Sequence, residues 1–97
     1  MSNDGVLVTI LNINLDKRQL MIRPNITTRG FVLVNENASL IKEIENKVSD
    51  IVNKSLKSSK YSVTDIKNQV ILELNVFINE RTGRRPMILP VIMEVKK

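Results

Sequence analysis

The stretch RTGRRPMILPVIMEV, residues 81–95, closes one kind of secondary structure and opens another. Gly83 suits the left-handed conformation that ends many helices, and Arg81, just before it, suits the negative end of a helix dipole. Beyond Arg84-Arg85 the segment MILPVIMEV is almost entirely apolar and reads as a buried strand. Pro90 has no N–H to give to a ladder, so this strand must either bulge or turn its proline outward at a sheet edge. A chain that returns to a strand after helical segments points to a sheet with helices packed on it.

Upstream of this stretch the apolar period is helical. Val63, Ile66, Val70, Leu74, Phe77 and Ile78 recur at three and four, and Ser62-Val-Thr-Asp65 has the spacing of a capping box with Asp in place of Glu. The segment KSSKYS separates this helix from an earlier one. There Leu40, Ile41, Ile44, Val48, Ile51, Val52 and Leu56 form the inner stripe, with Lys42, Glu43, Glu45, Lys47, Asp50 and Lys54 opposite. Asn37 is placed to cap its N-terminus.

The first third of the chain is β-rich. GVLVTILNINL, residues 5–15, passes into strict alternation of Leu11, Ile13 and Leu15 with Asn12 and Asn14, and its first half is apolar on both faces, as if covered on both sides. DKR at 16–18 is a turn and QLMI at 19–22 returns, giving a hairpin that stops at Pro24. NITTR at 25–29 reads as a polar connector, Gly30 as a bulge or positive-φ residue, and FVLV at 31–34 as a third strand. The order β-β-β-α-α-β gives an α+β fold: a small three- to four-stranded sheet with two helices on one face.

At 97 residues the chain has room for one core. Phe31, Tyr61 and Phe77 are its only aromatic residues, so that core is aliphatic. Cysteine and histidine are both absent. Disulfides, thiolate nucleophiles, the usual zinc sites and imidazole acid–base chemistry therefore do not belong to these residues. The carboxylates are scattered; Asp50 and Glu73 read as solvated helix faces. We expect neither a catalytic residue nor a metal ligand here.

The net charge of +5 favours loose contact with phosphate polymers without specifying one. Arg23, Arg29, Arg84, Arg85, Lys96 and Lys97 form either a solubilising rim or a phosphate-contacting surface, and Arg29, Arg84 and Arg85 are the RNA-phosphate candidates. No aromatic pair is available to stack bases, and TTRG lacks the glycine density of a phosphate loop. A sheet with helices on one side should be polar on the other. Here Met21, Val32, Val34, Met87, Leu89 and Met93 alternate with core positions. Val32, Val34, Met87, Leu89 and Met93 are accordingly the interface candidates. No apolar run is long enough to span a bilayer and no signal-peptide pattern opens the chain, so a cytoplasmic protein with no membrane partner is expected. The Asn-x-Ser/Thr triplets at Asn25, Asn37 and Asn53 then carry no glycosylation.

Two stretches carry more than pattern. TTRGFVLVNENASLI at 27–41 and INERTGRRPMILPVIMEV at 78–95 resemble the C-terminal domain of ribonuclease J, a metallo-β-lactamase and β-CASP family ribonuclease. That family shows an S-R-G-F-V-Y-V-R-E segment before a helix and ends in K-R-R-P-M-I-L-P-I-I-M-E-V. Arg23-Pro24 stands where Gly-Pro is common, and Thr28, Asn35 and Val63 replace the usual Ser, Arg and Trp, which marks a divergent paralogue. Met1-Ser2-Asn3 looks like an expression start ahead of a single domain over 4–97.

The resemblance implies a parent hydrolase that acts on RNA as a 5′-to-3′ exonuclease and endonuclease in RNA maturation and mRNA decay. Its zinc or other divalent ions would be held by histidines and aspartates of a separate lactamase domain. It implies for this chain a non-catalytic, cofactor-free domain that supports assembly and activity of that core. Its partners would be the lactamase/β-CASP core, a second copy or a ribonuclease J paralogue. The alternative is a basic accessory module that guides RNA to the core.

Overall fold

The computed structural model describes residues 5–30, 37–58 and 62–95. Four strands and two helices follow in the order β1 (Val6–Asn14), β2 (Gln19–Leu20), β3 (Asn25–Arg29), α1 (Asn37–Lys57), α2 (Val63–Thr82) and β4 (Met87–Glu94). This is the α+β arrangement expected from the order of periods in the sequence.

β1 is the axis of the sheet. β4 runs parallel to it along one edge, with Val6–Ile13 in register with Met87–Glu94. The antiparallel return strand on the other edge is split: Gln19–Leu20 pair with Ile13–Asn14, and Asn25–Arg29 pair with Val6–Ile10. The Met21 N–H still reaches the Asn12 carbonyl at 2.8 Å before the chain leaves the ladder towards the buried, donorless Pro24. In the turn, the Asn14 side chain accepts from the Lys17 N–H at 3.0 Å, and Arg18 takes a positive φ of 53°.

NITTR is thus a strand and not a connector. An edge strand with one open face can be polar, and its β-branched residues favour extended backbone. Ile26 and Thr28 turn inward and are half-buried, while Asn25, Thr27 and Arg29 are exposed. The expected third strand at 31–34 lies outside the described residues.

Pro90 turns its backbone nitrogen to the open edge of the sheet, and the strand does not bulge. The N–H groups of Met87 and Val95 reach the carbonyls of Gly5 and Ile13, each at 2.9 Å. N–H directions alternate along a strand, so the odd-numbered residues of β4 donate to β1 and residue 90 faces away from it. The ladder therefore loses nothing to the proline.

Both helices pack on the face carrying Leu7, Leu11 and Ile13 of β1 and Ile88 of β4. Ile44, Val48, Ile51, Val52 and Leu56 of α1 and Ile66, Val70, Leu74 and Ile78 of α2 complete the buried core. The helical stripes are those read from the sequence. Ser62 caps α2 by accepting the Asp65 N–H at 3.1 Å, which contributes about 1 kcal/mol. Gly83 ends the helix at φ 74°, its N–H donating to the Asn79 carbonyl at 2.8 Å. The side chain of Asn37 lies outside the described residues. Ion pairs Arg81–Glu43 and Lys47–Glu73 (3.8 Å) tie the two helices, and Arg81 also lies over the Phe77 ring. Such exposed pairs contribute about 0.2–1 kcal/mol each.

Thr9 sits on the helix-covered face of β1, fully buried, and its hydroxyl has no hydrogen-bond partner among the described residues. An unsatisfied buried hydroxyl costs about 1–3 kcal/mol. Thr9→Val keeps the branched shape and removes the polar atom, so it should stabilise the fold by about 1 kcal/mol. Urea unfolding measures this directly; a less stable variant would show that the hydroxyl is satisfied in solution.

Candidate protein-contact face

The other face of the sheet follows from the same register. In β1 the residues alternating with the core are Val6, Val8, Ile10 and Asn12, all half-buried. Beside them in β4 are Met87, Leu89, Val91 and Met93, in register with them one by one. These four side chains are 60%, 43%, 40% and 51% exposed. At strand spacings they form two columns about 5 Å apart and about 20 Å long, apolar throughout in β4 and apolar up to Asn12 in β1. The described residues place no layer over them, so the double coverage expected for the first half of β1 is not supplied by this domain's helices.

Across β1 the third column is polar. Arg29 lies opposite Val6, Thr27 opposite Val8 and Asn25 opposite Ile10. Met21, beside Asn12, is 39% exposed. The face is therefore graded, apolar along β4 and β1 and polar along β3, with one arginine at the corner next to Gly5.

The structure brings Met87, Leu89 and Met93 together on this face and adds Val91, which the sequence reading omitted although its parity matches. Val32 and Val34 lie outside the described residues. Arg29 and the Arg84–Arg85 pair gather at the same end of the sheet, because Val6 is flanked by Arg29 on one side and Met87 on the other. They do not form one cluster: Arg85 borders a groove against α2, away from the open face that carries Arg29.

Among the described residues no three acidic side chains converge to hold a metal ion, and no helix is long and apolar enough to cross a membrane. What the face offers is a desolvatable surface with methionines at both ends of the β4 column. Unbranched, polarizable side chains adapt to a partner's relief, and methionine is enriched where protein surfaces meet.

The family model of the ribonuclease J C-terminal domain matches residues 1–95. The chain belongs to this family. Ribonuclease J2 of Bacillus subtilis strain 168 is 38% identical over 95 residues, which cover 98% of this chain and 17% of that protein. Ribonuclease J 2 of Staphylococcus epidermidis is 35% identical and that of Staphylococcus aureus strain NCTC 8325 is 34% identical, with the same coverage. The chain spans about one sixth of the length of these relatives, so most of each relative lies outside the region matched by this domain.

Proposed function

We propose that this chain is a non-catalytic domain of a ribonuclease J, supporting the assembly and activity of its catalytic part through the open face of the sheet. The observation that carries the reading is the β4 column, where four consecutive outward positions are apolar and 40–60% exposed. A sheet face turned to water would alternate to polar residues there. The total lack of histidine and cysteine agrees with a division of labour in which RNA hydrolysis and its divalent metals belong to another domain.

RNA hydrolysis in trans tests this. A ribonuclease J lacking the corresponding domain should gain activity when this chain is added, and the chain alone should cleave nothing. Met87→Glu/Leu89→Glu, which buries two carboxylates on docking, should abolish the gain while leaving the domain folded, because both side chains already face water. Equal stimulation by the variant would sink the reading.

The basic character of one sheet end, with Arg29 at the end of β3 and Arg84–Arg85 leading into β4 on different faces, favours a second reading, an RNA-guiding surface. That reading predicts RNA binding whose log affinity falls by roughly 0.7–0.9 per phosphate contacted for each unit of log salt. The triple alanine variant should then flatten the slope.

A further inference from the structure

Between the return arm of the β1–β2 hairpin and α1 runs a groove of about 510 Å³. Arg18, Gln19 and Arg23 line it from the hairpin side, and Asn46, Ser49 and Asn53 from the helix. It is distant from Arg29, Arg84 and Arg85. Arg18 lies past the Asn14 end of β1, whereas Arg29 pairs with Val6, about 25 Å back along the strand.

Several of these residues are not the ones their local backbone prefers. Arg18 holds the left-handed position of the hairpin turn, φ 53°, where glycine would be unstrained. Asn46, Ser49 and Asn53 fall at i, i+3 and i+7 on one face of α1, inside a helix that alanine, lysine or glutamate would favour. Elsewhere the outer surface of α1 carries Lys42, Glu43, Lys47, Asp50 and Lys54, whereas the strip lining the groove is neutral and hydrogen-bonding. Asn46 and Asn53 are exposed, so core packing does not account for them. Local rules broken without a packing gain mark places where function sets the residue. Both arginines are also positioned. Arg18 Nη1 donates to the Ser58 carbonyl at 3.4 Å, and Arg23 pairs with Glu45 at 3.7 Å while its side chain stays 71% exposed. A guanidinium has five N–H donors in a planar fork, so the Glu45 contact does not saturate Arg23.

We propose that this groove binds a short stretch of single-stranded RNA, with Arg18 and Arg23 on phosphates and Asn46, Ser49 and Asn53 on sugar and base edges between them. Arginine forks match phosphate oxygens. Amides and hydroxyls both donate and accept, as base edges and 2′-hydroxyls require. Ile22, 61% exposed on the same groove, offers an apolar surface to the face of a base. An acidic peptide would use the two cations but gain little from the neutral strip, so the residue types favour the nucleotide. The site rests on the ribonuclease reading of the parent protein and not on the sheet face, and either can fail while the other stands.

The test is fluorescence anisotropy of a labelled oligouridylate of about eight nucleotides with the 97-residue chain, over a salt series and with thermal unfolding of each variant. The wild type should bind with a Kd of roughly 10⁻⁴–10⁻⁶ M, and its log affinity should fall by about 1.4 per unit of log salt, about 0.7 for each arginine-held phosphate. Arg23→Gln should halve that slope. Asn46→Ala/Asn53→Ala should weaken binding about tenfold at an unchanged slope while raising the melting temperature, because alanine is the better helix former. Arg18→Gly should also weaken binding and flatten the slope, in a turn whose backbone suits glycine. Met87→Glu/Leu89→Glu should bind RNA as the wild type does, which separates this groove from the docking face. If the Arg29→Ala/Arg84→Ala/Arg85→Ala variant loses affinity while the groove variants keep it, the inference is overturned and the RNA contact moves to the sheet end. Equally tight binding of a glutamate oligomer of the same charge would overturn it in favour of an acidic protein partner. A wild-type chain that binds neither probe would overturn it outright.

Discussion

Gly5→Ala is expected to destabilise the fold by about 3 kcal/mol or more and to lower the melting temperature by roughly 12–24 °C. Gly5 adopts φ 87°, and a Cβ there would lie 2.5 Å from the Arg29 carbonyl oxygen and 2.5 Å from the Gly30 carbonyl carbon. Those obstacles are backbone, which cannot swing aside as a side chain would. Gly5 also accepts the Met87 N–H, so it stands where β1, β3 and β4 begin or end together. Relieving the clash must therefore shift either the β3 end or the β4 start. Gly30→Ala is the control: its φ is also positive, 66°, but its Cβ would meet only the Gly5 Cα at 3.5 Å. The cost there should be near 1–2 kcal/mol, the left-handed penalty alone. Thermal unfolding of the two variants measures the difference; equal losses would show that the close approach at Gly5 is not tight in solution.

Leu11→Ala should cost about 3 kcal/mol, with a range of about 2–5. Leu11 is fully buried on the helix-covered face, in register with the partly buried Ile92 of β4. It lies where the return strand on the other edge is interrupted between β2 and β3. Its removal leaves a cavity between sheet and helices, and the central strand, fixed in its ladder to β4, cannot collapse far to fill it. Leu72→Ala removes the same atoms from a side chain 62% exposed and should change the unfolding free energy of the monomer by no more than about 0.5 kcal/mol. Urea denaturation separates the two, and a small loss at Leu11 would mean that the core is loosely packed.

The helices were the most legible part of the chain, because a core stripe repeating at three and four has one interpretation over twenty residues. Ser62 and Gly83 mark the ends of α2 by their own local chemistry, and both act as caps. The edges of the sheet were harder to read. NITTR, polar enough to read as a connector, earns its place as a strand through pairing with Val6–Ile10, a contact invisible to local pattern. Pro24 signals an end to pairing, yet the chain resumes it one residue later. The role of Gly5 depends on residues about twenty-five positions away.

The contact face was half legible for a similar reason. Parity along residues 87–93 places Met87, Leu89 and Met93 on one side whatever the fold, but only the parallel register with β1 sets Val6, Val8 and Ile10 beside them. Arginine positions gave no direction: Arg29 belongs to the sheet face and Arg85 to a helix groove. Leu72 and Val76 each adjoin an apolar neighbour in sequence, Ile71 and Phe77, and local pattern did not show that they are 62% and 55% exposed.

The most direct measurement is the affinity of this chain for a ribonuclease J lacking its own C-terminal domain, titrated at about 50 and 500 mM salt alongside RNA alone. Docking through the apolar β4 column predicts binding that survives the higher salt and is lost in Met87→Glu/Leu89→Glu. Binding to RNA alone that fades with salt, together with no affinity for the truncated enzyme, would contradict it.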